Sequence, residues 1–330
     1  MTLTLDSPVR TDVKDFDVAI IGSGFSGLGA AIRLKQEGID DFVVLERGDE
    51  VGGTWHYNTY PGCACDVPSH LYSFSFAPNP DWSETYSKQP EIGAYLRRTA
   101  DRFDVSRHVR LGHEVTNAEW DDDVQRWIVA TSEGTFRARV LVAGAGPLAE
   151  PKIPDIPGID EFEGETWHSA RWNHDYDLKG KRIASIGTGA SAIQYVPAIQ
   201  PDVEQLHVFQ RTPPWIFPHS TRPVTRLERR LYRHFPQLQK LVRGGVYAVR
   251  ELAVLGFVKR PKIMDYVESV AKRHMREQIS DPDLIAKVTP DYTIGCKRIL
   301  PSNTWYPALC TVWPKRMCGR TSKSVATFSR

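Results

Sequence analysis

Cysteine is scarce in this chain, and no long hydrophobic run occurs along it. Five cysteines among 330 residues are an odd number, which fits a reducing compartment better than a disulfide framework. The longest apolar runs, such as Val18–Ile21 and Val140–Ala145, are far shorter than the roughly 20 residues that a membrane-spanning helix needs. The polar N-terminus lacks the apolar segment of a secretory signal. These absences predict a cytoplasmic protein without an integral membrane segment.

An excess of charge of one sign is also absent. The 42 basic and 40 acidic residues leave a formal net charge of +2, and both signs are mixed along the chain. Nucleic-acid-binding proteins carry a basic stripe interleaved with aromatic residues, and because the sequence has none, nucleic acid is not an expected partner. Cys63 and Cys65 form a CxC, but no second Cys/His pair stands near them at ligand spacing. We therefore predict a structural role for these cysteines and no metal site.

The length and the apolar fraction of the chain indicate an ordinary globular protein. A chain of 330 residues with 41% hydrophobic and 25% charged residues has room for about two domains, each with its own core. Apolar runs predict parallel strands, and helical spacing predicts amphipathic helices. The predicted strands are 17–21, 42–45, 182–186 and 205–209, with a meander over 114–142, and the predicted helices are 28–36, 92–103, 227–235, 238–256 and 264–279.

The first glycine-rich turn is GSGFSG, from Gly22 to Gly27. An apolar run precedes it, a segment with helical spacing follows it, and the next apolar run ends at Glu46. In this βαβ dinucleotide-binding pattern Gly22 permits the tight turn, Gly24 lets the backbone approach a pyrophosphate, and Gly27 allows close packing of helix on strand. Glu46 would accept hydrogen bonds from ribose hydroxyls and would repel a 2′-phosphate. The first site is therefore predicted to take a dinucleotide with free ribose hydroxyls.

A second glycine turn, GTGASA, lies in the other half of the chain. Its predicted cofactor-binding residues are Gly187, Thr188, Gly189 and Ala192, of which the last replaces the third glycine, as the pattern allows. Arg211 stands 24 residues after Gly187, the same offset that separates the acid from the first turn. A base in the place of the acid favours a 2′-phosphate. The two turns together predict FAD at the first site and NADP at the second.

Two further stretches resemble a known family. One lies between the two turns and has the form FxGxxxHxxxW, with Phe162, Gly164, His168 and Trp172. The other, GGTWHYNTYPGCACDVPS at 52–69, has too many Gly, Pro and aromatic residues for a regular helix and indicates an ordered loop. Together with the turns they resemble the Baeyer-Villiger monooxygenases of the class B flavin-dependent monooxygenase family. The family pattern continues with proline where this chain has Asn173.

The resemblance implies an α/β fold with two Rossmann-like dinucleotide-binding domains, and it implies roles for individual residues. Arg298, in the stretch DYTIGCKRIL, would be the catalytic arginine. Asp66 would sit at the flavin ring and orient that arginine, since a buried carboxylate needs a cationic partner. His168 would help to couple the two domains rather than act as a base.

The resemblance also assigns cofactor contacts beyond the two glycine turns. Thr54 and Trp55, in the GGTW stretch, would lie beside the flavin. Thr212, in the stretch FQRTPPW, and Lys297 would bind NADP together with Arg211. Without the resemblance, the two adjacent basic residues Lys297 and Arg298 would be surface charges in a loop, and a solvated arginine at a strand end is the alternative interpretation of Arg211.

The sequence predicts a division into an FAD domain at 1–148, a linker at 149–161, and an NADP domain at 162–310 with a helical insertion at about 222–288. An atypical basic tail follows at 311–330. That tail carries five Lys/Arg and no acid, whereas the first 310 residues hold 42 − 5 = 37 basic residues against 40 acidic ones. Family members run on for well over a hundred further residues. The resemblance therefore predicts a C-terminally truncated chain with impaired activity.

The predicted function is NADPH- and FAD-dependent insertion of one oxygen atom of O2 into a ketone. An N- or S-oxygenating flavin monooxygenase shares both nucleotide turns, although Trp172 and the Lys297–Arg298 pair argue against it. A dithiol flavoprotein reductase is disfavoured because the first domain lacks a cysteine pair at redox spacing. The alternative from another class is a non-catalytic nucleotide-binding remnant. Neither the particular ketone nor the oligomeric state follows from the sequence.

Overall fold

The computed structural model describes residues 13–259 and 261–313, and the side chains of 253–262 are not among the described parts. The predicted tail therefore lies outside the described residues from position 314 onward.

The chain divides into two compact units. One consists of the residues up to Thr59 together with Pro90–Gly164, and the other of Tyr60–Gln89 together with the residues from Glu165 onward. Segment 60–89 thus belongs to the second unit, although the sequence alone assigns it to the FAD domain.

The first unit is built on a six-stranded sheet with the order β3-β2-β1-β6-β5-β4. Strands β1, β2, β3 and β6 pair in parallel, whereas β4, β5 and β6 form an antiparallel meander. Strand β2 is buried along its whole length, as expected of a parallel strand covered on both faces. The strands are β1 (Lys14–Ile21), β2 (Phe42–Leu45), β3 (Val109–Arg110), β4 (Val115–Asp121), β5 (Arg126–Thr131) and β6 (Gly134–Ala143).

In the described part of this unit, the α-helices are α1 (Phe25–Gln36), α2 (Thr54–Tyr57) and α3 (Gln89–Arg102), and short 3₁₀ helices lie at Ser106–His108 and Ile159–Glu161. Helix α1 buries Leu28, Ala31 and Ile32, a spacing that places them on one face. The helix begins directly after Gly24, which has no side chain to cap it. The backbone N–H groups of its first turn are therefore directed at the glycine turn.

The second unit contains a second βαβ element. Strand β7 (Arg182–Ile186) leads into α4 (Ala192–Ile199) and then into β8 (Gln205–Phe209), which pairs in parallel with β7. A separate parallel pair consists of β9 (Ile216–Phe217) and β10 (Leu300–Pro301). The α/β class predicted from the sequence is confirmed.

Helices fill most of the remaining second unit, including the range 222–288 where the sequence predicts a helical insertion. They are α5 (Arg226–His234), α6 (Pro236–Lys259), α7 (Pro261–Gln278), α8 (Pro282–Val288) and α9 (Trp305–Val312). The core of this unit packs α4 and α9 against β8 through Val196, Leu206 and Leu309. Among the described helices, none is both long and apolar enough for a membrane span.

Candidate functional site

The backbone of the first glycine turn leaves no room for side chains at two of its glycines. Gly22 has φ +88°, and a Cβ built there would lie 2.8 Å from the carbonyl oxygen of Gly144. A Cβ at Gly27 would lie only 1.8 Å from the carbonyl oxygen of Gly22. The turn therefore packs against the backbone that follows β6, and α1 approaches the end of β1 closely, which agrees with a tight turn at Gly22 and close packing at Gly27.

Gly24 differs from these two glycines. A Cβ built there would lie 3.6 Å from the Cα of Gly53, an ordinary van der Waals contact, and its φ is −76°. The protein itself would thus tolerate a methyl group at Gly24. The open space lies at the N-terminus of α1, where N–H groups and the helix dipole favour an anion. The turn therefore fits the pyrophosphate of a dinucleotide.

Glu46 stabilises the same turn from the end of β2. Its buried carboxylate accepts hydrogen bonds from the backbone N (2.8 Å) and hydroxyl (2.6 Å) of Ser23. Its other oxygen accepts from the backbone N of Gly48 (2.9 Å) and the hydroxyl of Tyr57 (3.1 Å). Four donors occupy the acceptor capacity of the carboxylate. A ribose hydroxyl that donates to Glu46 would therefore have to displace one of these four donors. The contact of Glu46 with ribose stays a prediction.

The GGTW stretch lies against the first turn. The backbone N of Gly52 donates to the carbonyl oxygen of Ser23 at 3.1 Å, and a Cβ at Gly53 would lie 2.9 Å from the Cα of Gly24. Thr54 begins α2 directly after these glycines, and Trp55 is buried. The predicted flavin contacts Thr54 and Trp55 thus follow immediately on residues that contact the turn.

The second turn has the same features in a more open form. Gly187 has φ +104° and donates its backbone N–H to the carbonyl oxygen of Phe209 at 2.9 Å. The hydroxyl of Thr188 donates to the carbonyl oxygen of Thr212 at 3.3 Å, so two predicted NADP residues are in contact. Gly189 has no atom within 4 Å of a built Cβ, and Ala192 begins α4. The space in front of α4 therefore fits a phosphate group as well.

Two exposed cations belong to the predicted NADP site. Arg211 forms no ion pair with any carboxylate of residues 13–259 or 261–313. Lys297 places its ammonium group 4.6 Å from the centroid of the Tyr292 ring, a cation–π contact. Neither charge is neutralised by a described carboxylate. Both cations therefore stay available for a phosphate.

Asp66 and Arg298 form an ion pair, although 232 positions separate them in the sequence. The Asp66 side chain is 18% exposed, whereas the Arg298 side chain is 58% exposed. A pair this open to solvent contributes little to stability. The largely buried carboxylate holds one end of a guanidinium that solvent, and hence a small molecule, can reach. The structure therefore brings together the two residues that the resemblance assigns to oxygen chemistry.

His168 caps a short 3₁₀ turn, Ser169–Arg171, by accepting the backbone N–H of Ala170 on Nδ1 at 3.1 Å. Burial and the nearby charge of Arg171 lower the pKa of His168 below its usual value. The neutral ring that this favours is the form that can accept a hydrogen bond. The boundary between the two compact units falls inside the FxGxxxHxxxW pattern, after Gly164. Coupling of domains by His168 stays a prediction.

Residues 19–254 match the protein family described as pyridine nucleotide-disulphide oxidoreductase. A Baeyer-Villiger monooxygenase of Streptomyces coelicolor is 59% identical over 292 residues, which cover 88% of this chain and 56% of the relative. The solved structure of cyclohexanone monooxygenase from Rhodococcus sp. Phi1 bound to NADP+ has a TM-score of 0.80 at 30% identity and covers 96% of this chain and 65% of that one. The structure of OTEMO in complex with FAD and NADP gives 0.78 at 28% identity, with 94% and 65% covered.

The chain belongs to the pyridine nucleotide-disulphide oxidoreductase family, among the Baeyer-Villiger monooxygenases. The resemblance seen in the sequence is confirmed. The chain spans little more than half the length of the curated relative, so the activity of a whole Baeyer-Villiger monooxygenase is a proposal for it.

Several polar residues close to the Baeyer-Villiger motifs have no distinguishing pattern in the sequence. His219 is half-buried, and its ring lies 4.4 Å from the ring of Tyr86. Burial lowers the pKa of His219, while the charges of Asp66 and Glu84 act to raise it. Gln194 is bonded to the loop that carries Asp66. Spacing could not reveal either residue, because their partners are more than a hundred positions away.

Proposed function

We propose that this chain carries the FAD and NADP sites of a monooxygenase that inserts one oxygen atom of O2 into a ketone. The observation that carries the proposal is the ion pair between Asp66 and the exposed Arg298, in the same compact unit as the second glycine turn. The first turn would hold FAD and the second NADP, as in the relatives with these cofactors. The small-molecule substrate, O2 and a cytoplasmic location belong to the same proposal.

Bound FAD, once reduced by NADPH, would supply the chemistry that activates dioxygen. The chain's own part is positioning and electrostatics. The planar guanidinium of Arg298 can donate several hydrogen bonds to developing negative charge, including that on a ketone oxygen under attack. Asp66 fixes the orientation of the guanidinium. Gly24 would give a pyrophosphate access to the N-terminus of α1, while Gly22 and Gly27 permit the close backbone packing around it.

A side-by-side assay of a ketone, a tertiary amine and a sulfide, with a chain extended to the length of the relatives, tests this function. Formation of an ester or lactone from the ketone is expected. Oxygenation of the amine or sulfide alone would favour the N- or S-oxygenating alternative, and nucleotide binding without any product would favour the non-catalytic remnant. Product analysis with labelled O2 would show whether the inserted atom comes from dioxygen.

The second site is expected to prefer NADPH to NADH because Arg211 and Lys297 are unpaired with carboxylates in the described part of the chain. A charged hydrogen bond to a 2′-phosphate is worth about 1.5 to 3 kcal/mol, which corresponds to roughly tenfold to more than a hundredfold in affinity. Arg211→Ala should remove most of this preference. Dissociation constants for both nucleotides, measured by calorimetry, check it.

The matched control is Arg226→Ala, which removes an exposed arginine at the start of α5. It should leave the preference unchanged. Equal affinity of the unmutated protein for NADPH and NADH would contradict the assignment of the second site.

A further inference from the structure

Gln194, on α4, forms three hydrogen bonds with the segment that leads to Asp66. Its Oε1 accepts from the hydroxyl of Tyr60 (3.0 Å) and the backbone N of Ala64 (3.3 Å), and its Nε2 donates to the carbonyl oxygen of Ala64 (3.0 Å). The side-chain amide thus pairs with both backbone groups of Ala64, as a neighbouring strand would. All of these residues belong to the second compact unit.

The segment also fits closely on the surface of α4. Gly62 has φ +79°, and a Cβ there would lie 2.8 Å from the carbonyl oxygen of Gln194 and 3.4 Å from the Cβ of Ala198. The following residue, Tyr195, packs edge-on against the ring of Tyr60 at 6.2 Å. Only glycine at position 62 permits this approach. The segment and the helix are therefore complementary in shape as well as in hydrogen bonding.

The positions of these contacts connect two parts of the proposed site. Gln194 lies two residues after Ala192, where α4 leaves the second glycine turn, and Ala64 lies two residues before Asp66. On its other side the segment is held by the backbone N of Cys65, which donates to the carbonyl oxygen of Ser87 at 2.9 Å. The backbone N of Gln89 likewise donates to the carbonyl oxygen of Cys63 at 2.9 Å, so loss of the Gln194 contacts would leave these backbone bonds, and with them the fold of the loop, in place.

We propose that Gln194 is a positioning residue, which fixes Asp66, and through it Arg298, relative to the second nucleotide turn. Nucleotide binding at that turn reduces the motion of α4. Through the hydrogen bonds of Gln194, it also reduces the motion of segment 60–66. The inference rests on the proposed function in one respect, that the second turn binds NADP.

Hydrogen exchange of segment 60–66, measured with and without NADP+, tests the role of Gln194. Gln194→Met keeps the length of the side chain and removes all three hydrogen bonds. Its matched control is Gln200→Met, at the C-terminal end of the same helix.

In the unmutated chain NADP+ should slow exchange of the segment. In Gln194→Met exchange should be at least about tenfold faster, because lost hydrogen bonds are worth about 1 kcal/mol each, and NADP+ should no longer slow it.

The outcomes separate this inference from the proposed function. Exchange in Gln194→Met equal to that in the unmutated chain and in Gln200→Met would overturn the positioning role. Failure of the unmutated chain to bind NADP+ would contradict the proposed cofactor site, while the comparison without nucleotide would still decide whether Gln194 holds the segment. If Gln194→Met does not fold, Gln194→Glu keeps the acceptor oxygens and loses the donor to Ala64, so it should exchange faster than the unmutated chain.

A kinetic measurement distinguishes positioning from a general structural role. In a chain extended to the length of the relatives, the ratio of ketone product to NADPH oxidised should fall in Gln194→Met and stay unchanged in Gln200→Met. A merely structural role would lower the amount of folded protein without changing this ratio. An unchanged ratio together with faster exchange would show that Gln194 anchors the loop without positioning Asp66.

Discussion

Replacement of Arg298 by alanine is expected to abolish ester formation, with reduction of the flavin by NADPH left largely intact and oxygen released as hydrogen peroxide. The guanidinium is assigned to the steps after flavin reduction, so its loss should not slow hydride transfer. Removal of one positioned donor from a site that stabilises developing negative charge typically costs about 10²- to 10³-fold in rate. Stopped-flow reduction, peroxide detection and product analysis, in a chain extended to the length of the relatives, measure the three effects separately.

The geometry of the ion pair supports this large effect. Arg298 is more than half exposed, and Asp66 is mostly buried. The alanine variant therefore removes the reachable cation and also leaves a largely buried carboxylate without its partner. Arg298→Lys keeps a charge but loses the planar fork of donors, and it should recover only part of the product formation.

Arg226→Ala serves as the matched control here too, because it removes an exposed arginine outside the proposed site. It should change neither flavin reduction nor the product. Ester formation retained by Arg298→Ala would count decisively against the catalytic assignment. Loss of flavin reduction in the same variant would instead place Arg298 at the nucleotide-binding step.

Strands and helices were predictable from the sequence where a short stretch of apolar residues marks them. Strands β2, β7 and β8 have the predicted bounds, because short apolar runs between glycine turns and charged residues mark buried parallel strands. Helix α1 begins at Phe25, three residues before the predicted start at Leu28. Its first turn belongs to the glycine motif, so apolar periodicity becomes visible only afterwards. Helix α3 likewise begins before its periodic stretch.

The tertiary relations were not predictable in the same way. Strand β6 pairs with β1 across about 120 residues, and no local period encodes such a pairing. The pair Asp66–Arg298 was expected from the resemblance alone, since both residues lie in irregular loops. Gln194 went unnoticed because a glutamine on a helix has no distinctive spacing. Glu46 was correctly placed at the end of β2, but the donors from Ser23, Gly48 and Tyr57 became apparent only in three dimensions.

Alanine at Gly27 and alanine at Gly24 should both weaken FAD binding but differ in their effect on stability, which separates folding from cofactor binding. Gly27→Ala would place a Cβ 1.8 Å from a backbone oxygen, so α1 must move away from β1. Forced overpacking of this kind costs about 1 to 3 kcal/mol or more, a large part of the marginal stability of a domain. We expect Gly27→Ala to lower the unfolding temperature and to lose FAD as a consequence.

Gly24→Ala tests the proposed pyrophosphate site itself. The new methyl group meets only an ordinary contact at 3.6 Å within the protein, and the backbone conformation suits alanine, so the fold should keep its stability. The same methyl group would occupy the space through which a pyrophosphate approaches the first N–H groups of α1. FAD affinity should therefore fall at least about tenfold without a loss of folding free energy, because a lost charged hydrogen bond alone is worth that much.

Gly244→Ala is the matched control, because Gly244 is an exposed position of helix α6 with no atom within 4 Å of a built Cβ. Alanine there should stabilise the chain by about 0.5 to 1 kcal/mol and leave FAD binding unchanged. Thermal unfolding and the visible absorbance of bound flavin, recorded for all three variants, measure stability and FAD binding independently.

Normal FAD affinity in Gly24→Ala would show that the pyrophosphate does not lie on this turn. Normal stability in Gly27→Ala would show that α1 can shift on β1, which would remove the physical reason for glycine at that position.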